Sequence, residues 1–175
     1  AWSKQLTGKL ASAAAMYDKV AKTSKGFYSE NAYYNLAVVC FLQKQYAKAI
    51  EELLGFSKAY PKSNLGQRVR LYLGRSYLET KDYKRAVTCL KQLSVKSDIK
   101  APATLWLARA YSRQNSNATV VTILAPVIET FDGSPEMSGM LNEYARAQMN
   151  LNKFPEAAVL YGRARAISKP PESTE

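Results

Sequence analysis

The chain has 175 residues, of which 47% are hydrophobic and 22% are charged, and this composition excludes an intrinsically disordered chain. There is no histidine, and Cys40 and Cys89 are far apart in sequence, so we expect neither a metal site, nor a bound cofactor, nor histidine-based catalysis. The net charge of +11 is concentrated in residues 61–120, where 12 basic and 3 acidic side chains give +9, and this favours an anionic partner.

Apolar periodicity and turn residues predict nine helices and no strands. The predicted helices span residues 2–23, 30–43, 46–59, 66–80, 83–95, 101–114, 117–130, 135–150 and 154–168. Ser29 and Asp82 are the predicted N-caps of the second and fifth helices. Pro126 lies inside the seventh predicted helix, which should therefore kink or end early. The two cysteines fall in predicted helices and are interpreted as buried free thiols, with a disulfide between them left open.

The same pattern of small and large residues recurs four times along the chain. A small residue stands at Ala37, Gly74, Ala108 and Ala145, at spacings of 37, 34 and 37 residues. Twelve residues after these come Ala49, Ala86, Val120 and Ala157, and four residues further come Leu53, Leu90, Leu124 and Tyr161. Small residues let two helices approach closely, so the pattern predicts stacked helical hairpins.

The strings Leu73-Gly74-x-x-Tyr77 and Leu107-Ala108-x-x-Tyr111, with Pro61 closing the first unit, resemble the tetratricopeptide repeat (TPR). The resemblance implies an all-α fold, a right-handed superhelical solenoid of helix-turn-helix hairpins with about nine helices. It predicts one solenoid over residues 1–168, with repeats at 30–63, 67–100, 101–134 and 138–168. Residues 1–29 would form a partial or capping repeat, and residues 169–175 a mobile tail.

The run Tyr60-Pro61-Lys62-Ser63 and the 37-residue units resemble TPR proteins of the bacterial cell envelope, including outer-membrane assembly lipoproteins. This resemblance implies a location in the bacterial periplasm or envelope, with the cytoplasm as the alternative. Some TPR cochaperones clamp acidic chaperone tails with Lys and Asn. Tyr34 and Val38 stand at those positions here, so such a clamp is not expected.

In TPR proteins the first helix of each repeat, helix A, lines a concave groove that binds an extended peptide or a partner helix. Carried over by repeat position, the resemblance predicts eleven partner-binding residues. They are Asn31, Tyr34, Val38, Phe41, Arg68, Arg75, Leu105, Arg109, Arg113, Asn142 and Arg146.

Three of these arginines, Arg75, Arg109 and Arg146, directly follow the small residue of their repeat. We therefore predict that they stack as a ladder along the groove, where guanidinium groups suit carboxylates. The alternative is that each arginine pairs with a nearby glutamate, such as Glu79 or Glu143.

These features favour a non-enzymatic protein–protein interaction scaffold that binds a partner segment or subunit in a concave groove. We expect the partner to be acidic and the scaffold to belong to a bacterial envelope assembly. The alternative is a helical-repeat module that binds RNA through its basic middle repeats. An enzyme is not expected, because the sequence has no phosphate-binding loop and no nucleophile motif. No segment of the sequence is long and apolar enough to span a membrane.

Overall fold

The computed structural model describes residues 2–24, 26–94 and 99–168, and for residues 2–7 it describes the backbone alone. Within those ranges it contains nine α-helices, one 3-10 helix and no strand. The α-helices are α1 Trp2–Thr23, α2 Phe27–Leu42, α3 Tyr46–Ala59, α4 Gly66–Glu79, α5 Tyr83–Leu93, α6 Lys100–Arg113, α7 Asn117–Leu124, α8 Met137–Asn150 and α9 Phe154–Ser168. The all-α prediction is confirmed, and the predicted tail at residues 169–175 lies outside the described residues.

Pro126 shortens the seventh helix as the sequence predicts. Helix α7 ends at Leu124, and a short 3-10 helix, Ile128–Phe131, follows it. Proline has no N–H to donate and its ring collides with the preceding turn, so the helix cannot continue through this position.

The chain divides into two compact units, residues 1–89 and residues 90–175, with the boundary inside α5. In the first unit α1 packs on α2, α2 on α3, and α4 on both α2 and α3. In the second unit α6 packs on α7, and α8 contacts α6, α7 and α9. Each unit is therefore built from helical hairpins, with helices A at α2, α4, α6 and α8 and helices B at α3, α5, α7 and α9. The prediction of one continuous solenoid over residues 1–168 stays a prediction.

The repeated small residues are buried in the core of the hairpins. Ala37, Ala108 and Ala145 of the helices A have no solvent exposure, and neither have Ala49, Ala86 and Val120 of the helices B. The large residues that follow on the helices B, Leu53, Leu90 and Leu124, are also fully buried, whereas Tyr161 of α9 is 37% exposed. Burial of each leucine contributes about 1.5–3 kcal/mol, so these positions hold the hairpins together.

The turn from helix A to helix B has the same backbone conformation in all four hairpins. Lys44, Lys81, Asn115 and Asn152 each stand two residues after a helix A and have φ between 57° and 65°. Their spacings are again 37, 34 and 37 residues. In each turn the next N–H donates to a carbonyl of the last helical turn, as Asp82 does to Tyr77 at 2.8 Å. The structural repeat thus matches the sequence repeat residue for residue, through a left-handed turn that closes the helix.

One predicted helix cap is confirmed and one is wrong. The Arg85 N–H donates to Asp82 Oδ1 at 3.1 Å, so Asp82 caps α5. Helix α2 begins at Phe27, three residues earlier than predicted, and Ser29 therefore lies inside it. The Ser29 hydroxyl instead donates to the Ala21 carbonyl at 2.8 Å and accepts from the Tyr60 hydroxyl at 2.9 Å.

Lys44→Gly should stabilise the chain by about 0.5–1 kcal/mol, because glycine adopts positive φ without the Cβ collision that lysine suffers there. The matched control is Lys48→Gly, four residues away and exposed inside α3, which should cost about 1 kcal/mol. Urea unfolding of both variants tests this, and equal losses of stability would contradict the assigned turn.

Gly55→Ala should destabilise the first unit by about 1–3 kcal/mol. A Cβ at this position of α3 would overlap the Tyr33 hydroxyl, and the Tyr33 ring is held by edge contacts to Phe56 and Tyr60. Tyr33→Phe removes that hydroxyl and should restore most of the loss in the double variant. Gly162→Ala, where a Cβ meets nothing within 4 Å, should instead gain about 0.5–1 kcal/mol.

Candidate partner-binding site

In the first unit, α2 and α4 bring Tyr34, Phe41, Tyr72 and Arg75 together in what we call the aromatic cluster. The Arg75 guanidinium carbon lies 4.5 Å from the Phe41 ring centroid and 4.9 Å from that of Tyr72. The Tyr72 ring meets the rings of Phe41 and Tyr34 edge to face, with centroids 5.4 Å and 6.1 Å apart. Each cation–π contact of this kind contributes about 0.5–2 kcal/mol, so the aromatic rings fix the guanidinium in place.

Burial in the aromatic cluster disfavours the phenolate form of Tyr34. Burial raises the pKa of Tyr34 to about 12, with a further upward contribution from Tyr72, while Arg68 and Arg75 act in the opposite direction. A neutral phenol can both donate and accept a hydrogen bond at physiological pH. Tyr34 and Val38 are half-buried, whereas Phe41 is only 9% exposed beneath Arg75.

In the second unit, α6 and α8 converge on the carboxylate of Glu143, whose side chain is 11% exposed. Arg109 Nε lies 3.6 Å from Glu143 Oε1, the Arg146 guanidinium donates to Oε2, and the Ser112 hydroxyl donates to Oε2 at 2.9 Å. The Arg109 guanidinium also lies 4.4 Å from the ring centroid of Trp106. We call these five residues the Glu143 cluster. One buried carboxylate thus holds two guanidinium groups, which leaves the cluster with a charge of +1.

The three ladder arginines have internal contacts of two kinds. Arg109 and Arg146 share Glu143, as the alternative interpretation of the sequence proposed, and Arg75 lies against aromatic rings. The side chains of Arg109 and Arg146 are nevertheless 33% and 43% exposed. Each guanidinium has five N–H donors, so pairing with Glu143 does not use them all. Because Arg75 belongs to the other unit, stacking of all three as one ladder stays a prediction.

The remaining predicted residues lie in different environments. Asn31 donates from its side-chain amide to the Phe27 carbonyl at 2.9 Å. Arg68, Arg113 and Asn142 are exposed on α4, α6 and α8. Leu105 is 6% exposed and belongs to the core of the second unit, where α8 approaches it closely at Gly139. Leu105 therefore contributes to packing and offers little surface to a partner.

Sequence reasoning missed the residues that position the ladder arginines. Tyr72, Trp106 and Glu143 each stand three residues before Arg75, Arg109 and Arg146, respectively. Residues three apart are neighbours on a helix surface, so this spacing was a usable signal. The sequence suggested Glu143 only as a partner that an arginine could pair with, and it did not point to Tyr72 or Trp106.

In the described part of the chain, no three His, Cys, Asp or Glu side chains lie close enough together to hold a metal ion. None of the described helices is long and apolar enough to cross a membrane. Cys40 and Cys89 are free thiols; Cys40 is buried as predicted, whereas Cys89 is only partly buried, and burial raises the pKa of both.

Solved structures of other proteins have the same arrangement of helices over most of this chain. BtubC (BKLC) from P. vanneervenii superposes with a TM-score of 0.77 at 14% identity, over 98% of this chain and 80% of that one. A kinesin light chain-like protein of Podosopora anserina with nearly identical TPR-like repeats gives 0.76 at 20% identity, over 97% and 92%. MamA from Desulfovibrio magneticus RS-1 gives 0.69 at 15% identity, over 82% and 78%. The chain has a TPR-like repeat fold.

Sequence comparisons support the same fold in the first unit. The family model for subunit 3 of the anaphase-promoting complex, or cyclosome (ANAPC3), matches residues 7–93 of this TPR-like chain. No curated protein matches the chain in sequence. The comparisons therefore support a TPR-like repeat fold, a fold that is typical of scaffolds that bind other proteins.

Glu143→Gln should destabilise the TPR-like second unit by about 1–2 kcal/mol, because two guanidinium groups lose their shared negative charge. Glu156→Gln removes the same charge from an exposed position of α9 and should cost about 0.5 kcal/mol or less. Chemical unfolding of both variants checks this. A double-mutant cycle with Arg146→Gln should give a coupling energy of about 0.5 kcal/mol or more, and a value near zero would contradict the pairing.

Proposed function

We propose that this chain is a non-enzymatic scaffold whose helices A bind an acidic segment of a partner protein. The observation that carries the proposal is the Glu143 cluster, in which a buried carboxylate fixes two partly exposed guanidinium groups on neighbouring helices A. Groups that are already ordered lose little conformational entropy when a partner binds. A site that is ordered before binding suits recognition of a segment that becomes ordered on it.

The charge of the Glu143 cluster favours an acidic side chain as its ligand. Two guanidinium groups and one carboxylate leave +1, and exposed Arg113 lies one helical turn after Arg109 on α6. A carboxylate of the partner would accept from the arginine N–H groups that Glu143 does not use. The exposed amide of Asn142, on α8, adds a neutral donor and acceptor beside these charges.

The aromatic cluster of the first unit, taken by itself, suits a partner segment with apolar side chains. The half-buried side chains of Tyr34 and Val38 offer apolar surface, and the Tyr34 hydroxyl can bond to a backbone carbonyl or N–H. Arg68 is exposed on the same pair of helices and would accommodate an acidic residue. We therefore propose a segment that combines acidic and apolar side chains.

The comparisons give no support to the RNA-binding alternative, and we do not carry it further. The setting in a bacterial envelope assembly rests on the sequence resemblance at residues 60–63 and on the 37-residue units, and it remains part of the proposal.

Trp106 provides a direct test, because it lies against Arg109 and the chain has only two tryptophans. In a Trp2→Phe background, Trp106 emission should change on titration with an acidic-apolar peptide of alternating Glu and Leu. The same peptide with Gln in place of Glu should have little effect. Arg113→Gln should weaken binding up to about fivefold, and high salt should weaken it further, because exposed charges are screened.

Lys153→Gln is the matched control, since it removes an exposed cation that directly precedes α9, a helix B. It should leave the affinity for the acidic peptide within about twofold of the parent. Equal weakening by both substitutions would show that net charge alone attracts the peptide. Equal binding of the Glu and Gln peptides would rule out recognition by the arginines.

A further inference from the structure

A cavity of about 630 Å³ lies in the first unit, and none of its lining residues belongs to the aromatic cluster, although the Phe56 ring contacts that of Tyr34. It is bounded by the C-terminal end of α3, the loop at residues 60–65, the first half of α4, and Cys89 of α5. Its volume falls within the range of about 300–1,000 Å³ that is usual for sites that hold small molecules. The proposed groove function uses none of the residues that line it.

One wall of this cavity is held rigidly by hydrogen bonds. The Tyr60 hydroxyl donates to Ser29 Oγ at 2.9 Å, and Ser29 in turn donates to the Ala21 carbonyl at 2.8 Å. The Ser63 hydroxyl donates to Glu30, and the Leu65 N–H donates to Ser63 Oγ at 2.9 Å. Through these bonds the loop is attached to α1 and α2, so the cavity does not have to be formed when a ligand enters.

The lining combines one cation with aromatic and neutral polar groups. Of the described residues around the cavity, Arg70 alone carries a formal charge, and no carboxylate is among them. Tyr60 supplies most of the apolar surface and Leu73 a little of it, because Phe56 is fully buried, while Ser57 and Gln67 supply hydrogen-bonding groups. The Arg70 guanidinium lies close enough to the Cys89 thiol to lower its pKa, against the larger upward effect of burial. Arg70 of α4 and Cys89 of α5 thus line the same cavity.

We infer that this cavity binds a carboxylate that carries a compact apolar or aromatic group. The carboxylate would accept from Arg70, which has five N–H donors and can serve more than one acceptor. The apolar group would lie against Tyr60 and Leu73, and the hydroxyl and amide groups would bond to any polar substituent. A free organic acid and the C-terminal residue of a peptide share this chemistry.

Cys89 reports occupancy of the site in the unmodified chain. It lines the cavity and is partly exposed, whereas Cys40 is 1% exposed, so iodoacetamide at mildly alkaline pH should alkylate Cys89 first. Mass spectrometry of the digested chain distinguishes the two thiols. 3-Phenylpropanoate should slow alkylation of Cys89 with an apparent Kd on the order of 1 mM, and 3-phenylpropanamide should not.

Two substitutions separate the charge of Arg70 from other effects. Arg70→Gln should weaken protection by 3-phenylpropanoate about tenfold or more, whereas Arg70→Lys should retain part of it. Lys62→Gln removes an exposed cation from the same loop without altering the lining, and it should leave protection unchanged. Arg70→Gln could also destabilise the chain. The midpoint of chemical unfolding is therefore measured for both Arg70→Gln and Arg70→Lys, so that a loss of protection can be told apart from a loss of folding.

N-acetylphenylalanine distinguishes the two sources of carboxylate. Stronger protection by it than by 3-phenylpropanoate supports a peptide C-terminus, and weaker protection supports a free acid. Equal protection by the acid and its amide, or undiminished protection in a folded Arg70→Gln variant, would overturn the site. No protection by either acid at about ten times the expected Kd would overturn it as well. None of these outcomes depends on whether the helices A bind an acidic segment.

Discussion

The structure depends on one constraint, which is that two helices of each hairpin must approach closely at a pair of small residues. Ala37 with Ala49 and Ala108 with Val120 have no exposure at all, and side chains larger than these would separate the helices. The left-handed residue at the end of each helix A makes the approach possible, because it reverses the chain within three residues. Contacts between hairpins then follow from leucines such as Leu53 and Leu124, which the close approach places in the core.

This constraint also explains where charged groups can act. On the helices A, the positions next to the small residue lie at the margin of the core, where an arginine is held by neighbours while its end reaches water. Arg75 is held by aromatic rings, and Arg109 and Arg146 are held by a carboxylate. The two solutions differ in chemistry but give the same result, a guanidinium with restricted motion at the surface of a helix A.

Much of the fold could be predicted from the sequence, because the determining residues recur at fixed spacings. The helices predicted from periodicity match the observed ones closely, and Pro126 ended α7 as expected. Ser29 was misjudged because a serine can cap a helix or bond within one, and its real acceptor, the Ala21 carbonyl, comes from a different helix. Lys44 and Lys81 gave no signal of left-handed turns, since lysine has no preference for them. The contacts of the arginines could not be predicted, because they depend on which helices A are neighbours. Leu105 was predicted to bind a partner for the same reason, since its burial also depends on how α6 and α8 pack.

The hydrogen bonds of Ser29 have a consequence for how the first unit opens. Its hydroxyl joins the last turns of α1, the first turns of α2, and Tyr60 after α3, so three consecutive helices share one polar contact. Regions of a protein exchange their amide hydrogens with solvent as cooperative units, and such units coincide with segments that share contacts. The ends of α1 and α3 should therefore exchange at similar rates although nearly 40 residues separate Ala21 from Tyr60. The smallest cooperative unit at this end of the chain is then larger than a single hairpin.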